Sequence, residues 1–150
     1  MKQKRIKTII LFTIIGTVIS VAFGIWHFFV PSVWNWYSYI LPDATELVIA
    51  VRAINIFFSL LLVMLGVANV LSVLNISKGK FQTIIIISIS VLLWLVRVIL
   101  QVIYPQGSRN QVIQYGMLLV FIIVFLCFAI TLFLLLKTTD CREEAGTDEN

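Results

Sequence analysis

The chain has 150 residues, 61% hydrophobic and 12% charged, with a formal net charge of +4. A soluble domain is about half apolar and about a quarter charged, so this balance argues against an ordinary soluble domain and for a membrane protein. The basic residues cluster at the ends of apolar blocks, and nothing points to nucleic acid as a partner.

Four blocks, 8–30, 47–74, 81–103 and 112–136, are long enough to cross a hydrocarbon layer, which takes about 20 helical residues. Their apolar runs are continuous, whereas a barrel strand would alternate polar and apolar residues. The expected fold is therefore an all-α integral membrane protein. Short connections between consecutive spans predict an up-down-up-down four-helix bundle.

The first span follows Lys2, Lys4, Arg5 and Lys7. This basic start, an apolar stretch and Ser20-Val21-Ala22 form an acceptable secretory leader. The apolar run continues through "FGIWHFFV" to full span length, so the segment is expected to be retained. Gly16, Ser20, Gly24, His27 and Pro31 fall on one face, and small or polar residues mark faces turned to other helices. The following loop, "PSVWNWYSYILPDATE", carries Trp34, Trp36, Tyr37 and Tyr39. These aromatics suit a belt at headgroup level, or a lid across the mouth of the bundle.

The second span carries a stripe of Arg52, Asn55, Ser59, Leu62, Gly66 and Asn69. "NISKGK" then predicts a tight turn at Gly79. The third span carries Ser90, Trp94, Arg97, Gln101 and Tyr104 and ends at the turn "YPQGSRNQ". The fourth is mostly Leu, Ile, Val and Phe, with a modest face of Gly116, Val120, Val124, Cys127 and Thr131. It is expected to be the most lipid-exposed helix, with Phe121, Phe125 and Phe128 partly on lipid. The transmembrane domain is thus 1–137, and 138–150 reads as a disordered acidic tail with nothing to bury. Cys127 and Cys141 lie fourteen residues apart, about 21 Å along a helix, too far for a disulfide. No metal-ligand spacing occurs, so no metal or cofactor is implied, although a quinone would suit the polar stripes.

Lys and Arg precede the first span, occupy the middle turn and follow the fourth span. The first loop has none, and the last loop has only Arg109. The positive-inside bias then places both termini in the cytoplasm. The chain is rich in Ile and carries no lipidation signal, which reads as a bacterial cytoplasmic membrane protein.

Depth gathers the polar residues. Arg52 and Arg97 each lie about 8–9 Å in from the outer end of their spans, and His27 is one turn from the outer end of the first. With Asn55, Gln101, Tyr104 and Trp94 they form one slab that holds no carboxylate. The nearest acids are Asp43 and Glu46 at the mouth of the second span. Intramembrane ions are functional by default. The slab is therefore expected to be a cationic pocket in which Arg52 and Arg97 share a ligand. The structural alternative pairs them with Glu46 and Asp43, and His27 alone fits a helix-packing residue as well as a proton carrier.

"GIWHFFVP", 24–31, resembles the G-x-x-H-F-x-x-P element that ends the first helix of DoxX-like membrane proteins, and "LPDATELV" loosely resembles their Pro-rich loop and second-helix acid. The resemblance implies a small four-helix protein and, in some members, quinone or thiosulfate redox chemistry. The Arg97/Gln101 pair stands outside it. The residues themselves point first to a binding or accessory protein for a lipid headgroup, quinone or small anion. A second reading is a structural subunit that mates with a membrane-protein partner or a second copy. An enzyme is disfavoured, because the slab has one His and no Cys, paired carboxylates or metal set. A proton-coupled transporter would be expected to carry an intramembrane carboxylate.

Overall fold

The computed structural model describes residues 2–105 and 110–147, with side chains over 3–105 and 110–137. Four helices run in order: α1 (Lys2–Val33), α2 (Thr45–Leu74), α3 (Lys80–Ile103) and α4 (Gln111–Thr147). A short 3₁₀ helix, Trp36–Tyr39, lies between α1 and α2. All four α-helices are long and apolar enough to cross a membrane. Residues 106–109, which include the expected turn glycine Gly107 and Arg109, lie outside the described residues.

The expected spans fall inside these helices, which overrun them at several ends. α1 starts at Lys2 rather than residue 8, since Lys, Arg and Gln are good helix formers and extend a helix into water. α4 continues past Lys137 to Thr147, into the segment expected as a tail; residues 148–150 lie outside the described residues. In lipid every backbone polar group needs an internal partner, so the helix is the stable state of such runs. The hydroxyls embedded in them mostly return to their own helix. Thr13 donates to the Ile9 carbonyl at 2.8 Å, Ser59 to Asn55 at 2.8 Å and Thr131 to Cys127 at 2.9 Å.

Contacts between neighbouring helices run in opposite directions along the chain. On α1 and α2, His27 meets Asn55 and Gly24 faces Ser59 and Leu62. On α2 and α3, Asn69 meets Ser90 and Ser72 meets Thr83. On α1 and α4, Phe23 meets Phe121, Gly16 faces Cys127 and Phe128, and Thr13 lies beside Thr131. α1 packs most extensively on α2, and α2 and α3 pack least of the four adjacent pairs.

Glycine sets the α1–α2 approach. A Cβ on Gly66 would run into the Val21 side chain, and one on Gly24 would lie 2.9 Å from Leu62 Cβ. These residues let the backbones close up, which is how helices gain dispersion energy where lipid offers no hydrophobic drive. The small residues of the first two stripes are therefore used within the chain.

The fourth helix departs from expectation. Phe121 and Phe128 are fully buried, Phe125 is half-buried, and α4 is as buried as α1 and more so than α2 and α3. Its inward face is Phe121, Val124, Phe128, Thr131 and Leu135, joined by Cys127, while Gly116 and Val120 face outward. Phe128 packs where Gly16 leaves room on α1. The core is thus selected by size: large α4 rings fill the space beside small α1 residues. Cys127 is a buried free thiol.

Candidate binding site

Pro31 is the starting point at the end of the bundle that carries the 34–44 loop. It sits inside α1 and has no N–H, so the His27 carbonyl four residues earlier loses its intrahelical partner. Asn55 of α2 replaces it, its Nδ2 donating to that carbonyl at 2.8 Å. The amide is thereby oriented with Oδ1 toward the imidazole, 2.7 Å from His27 Nδ1. Because Oδ1 can only accept, Nδ1 carries the proton and Nε2 carries the lone pair of the neutral ring. Phe23 and Phe58 hold the imidazole edgewise, with centroids 5.6 and 4.9 Å away. His27 and Asn55 thus form a reciprocal clamp between α1 and α2.

Arg97 enters the same region from α3. It is 9% exposed, and its Cζ lies 4.5 Å from the Phe121 centroid and 5.9 Å from that of Phe23. Phe23 therefore touches both the arginine and the His27 ring. Trp94, one turn before Arg97 and 1% exposed, packs on Phe23 and Phe121 at 6.2 and 5.7 Å. Gln101, one turn after, is also buried. A guanidinium stacked on a ring spends its face on the quadrupole, and its N–H edges form the hydrogen-bonding periphery.

Two residues expected in this slab lie elsewhere. Tyr104 is 67% exposed at the end of α3. Arg52 is exposed on α2, its Cζ 5.5 Å from the Tyr37 centroid. The two arginines therefore occupy opposite environments and do not flank one void. The cause is helical phase. Asn55, Ser59, Leu62, Gly66 and Asn69 all turn inward. Arg52, three residues before Asn55, falls about 60° off that row, toward the exposed Ile49 and Ile56. A long cationic side chain can turn outward and reach the interface.

The loop aromatics are set by Asn35, whose φ of 49° places it in the left-handed region that Asn tolerates better than most side chains. The 3₁₀ helix packs on α1, and Tyr37 reaches Arg52. A groove of about 220 Å³ lies deeper between α1 and α2, lined by Thr17, Val21, Gly66, Val67, Val70 and Leu71. Neither arginine lines it. Among the described residues no cluster of three His, Cys, Asp or Glu side chains forms a metal site.

Sequence reasoning missed Phe23, Phe58 and Phe121, which wall the site. Pro31 four residues after His27 was a legible sign that the His27 carbonyl would need an outside donor. No family model, curated protein or solved structure matches this chain.

Proposed function

We propose that this is a small multipass membrane protein that binds an anionic or carbonyl-bearing small ligand, such as a lipid headgroup or quinone, at the Arg97 site. Arg97, Gln101 and Trp94 form its centre, with His27 and Asn55 at its edge. The observation that carries the reading is a 9%-exposed guanidinium held 4.5 Å from the Phe121 ring and 5.9 Å from the Phe23 ring. Asp43 and Glu46 are exposed at the mouth of α2. A positive charge inside a low-dielectric bundle favours an anionic or strongly accepting ligand, and the planar guanidinium edge suits carboxylate, phosphate or carbonyl oxygens.

The seam between α2 and α3 is the natural entry. Its hydrogen bonds, Asn69 to Ser90 and Thr83 to Ser72, sit in the half near the 75–79 turn. In the other half α2 is tied to α1 through Asn55. The ligand-bearing half faces outward and both termini face the cytoplasm of a bacterial cell, an arrangement supported by the basic residues at the opposite end. The subunit alternative has less support, because Gly16, Gly24 and Gly66 are used inside the chain. The redox-associated alternative rests on the resemblance in 24–31.

The test is a set of single and double variants: Arg97→Gln, Arg97→Lys, Asp43→Asn, Arg97→Gln with Asp43→Asn, and Glu46→Gln. Arg97→Gln is expected to fold and lose copurifying ligand. Arg97→Lys is expected to retain little, since lysine is a point charge without the fork. If stability lost in Arg97→Gln returned in the double variant, with no ligand lost anywhere, Arg97 would be one half of a structural ion pair.

A further inference from the structure

We propose that Arg52 and Tyr37 form a clamp for the phosphodiester of a phospholipid, in the leaflet on the side of the α1–α2 loop. This surface is separate from the Arg97 site and does not depend on it. Arg52 stands seven residues after the first residue of α2, about 10 Å along the helix. Its neighbours one turn away on the same face, Ile49 and Ile56, are 62% and 49% exposed. That strip continues through Leu60, 47% exposed. A guanidinium here emerges among acyl chains. Among the described residues it makes no hydrogen bond or ion pair, and its guanidinium lies over the Tyr37 ring. Tyr37 takes the face of the guanidinium and leaves five N–H donors to be satisfied.

Those donors have one direction in which to find acceptors. A long arginine in a spanning helix reaches for the interface, and Tyr37 belongs to the interfacial loop. The ring is held in place by its turn: Asn35 is left-handed, and its carbonyl accepts from the Ser38 amide at 3.1 Å and the Ser38 hydroxyl at 2.8 Å. A stacked, preoriented fork matches two oxygens of one phosphate.

Two features select a lipid over a free anion. Asp43 and Glu46 are exposed at the same end of α2 and oppose accumulation of mobile anions there. Ile56 and Leu60 below Arg52 offer an apolar strip along which an acyl chain lies.

Native mass spectrometry of the 150-residue chain, titrated with dioleoyl phosphatidylcholine and with dioleoylglycerol, tests the clamp. Wild-type protein is expected to bind the phospholipid about tenfold more tightly, the worth of a charge-assisted hydrogen bond. Arg52→Gln should abolish the preference and Tyr37→Leu weaken it. Tyr37→Phe, which keeps the ring face, should preserve it. Circular dichroism would verify that each variant keeps its helix content. An undiminished preference in Arg52→Gln would overturn the proposal. So would equal displacement of the phospholipid by millimolar inorganic phosphate, which would mark a free-anion site.

Discussion

Pro31, His27 and Asn55 act as one unit. Proline removes a hydrogen bond from α1, and a side chain of α2 supplies it. Leaving the His27 carbonyl unsatisfied costs about 1–3 kcal/mol, and more where no water can reach. Asn55→Leu is therefore expected to lower the thermal midpoint in detergent. Pro31→Ala should restore part of that loss, because residue 31 regains the N–H that binds the His27 carbonyl. A double-mutant cycle reads the coupling: Pro31→Ala should help more in the Asn55→Leu background than in the wild type. Independent effects would mean that Asn55 acts otherwise. The imidazole itself is oriented by this clamp, which favours the helix-packing view of His27 while Nε2 keeps its lone pair.

At the scale of the helices, close approach between α1 and α2 depends on glycines whose effects can be separated. Gly66 and Gly116 are both helical, and alanine is the better helix former by about 1 kcal/mol at either site. A Cβ at Gly116 meets nothing within 4 Å, whereas one at Gly66 runs into Val21. Gly116→Ala is expected to be neutral or slightly stabilising, and Gly66→Ala destabilising, in thermal unfolding. Val21→Ala should relieve part of the Gly66→Ala loss. A like response at both glycines would contradict the packing described for α1 and α2.

The inward faces of the first three helices were legible because polar and small residues stand out against an apolar run. Gly16, Ser20, Gly24, Asn55, Ser59, Asn69, Ser90, Trp94, Arg97 and Gln101 are all buried as their spacing implied. Arg52 and Tyr104 were misplaced because both lie near helix ends, where a long side chain can leave the stripe for the interface. α4 was misread for a different reason. It is apolar all round and carries rings on both faces, Phe121 and Phe128 inside and Phe133 outside, so its core face is set by neighbours such as Gly16, which a polarity pattern does not record. The aromatic walls of the site belong to the same blind spot: Phe23 and Phe121 look like lipid-facing residues until Arg97 lies on them.

For the molecule as a whole, sidedness and binding are separable questions. Ser32 and Ser77 are both exposed, at opposite ends of the bundle. Ser32→Cys is expected to react with a membrane-impermeant maleimide on intact cells, and Ser77→Cys only after permeabilisation. The reverse pattern would invert the orientation and leave the Arg97 site on the cytoplasmic side. The central claim, that Arg97 holds a ligand, is tested most directly by native mass spectrometry of gently extracted wild-type, Arg97→Gln and Arg52→Gln proteins. We expect a defined adduct on the wild type that survives Arg52→Gln and disappears in Arg97→Gln, with helix content unchanged. The same adducts in wild type and Arg97→Gln, or a wild-type protein whose only adduct vanishes with Arg52, would contradict it.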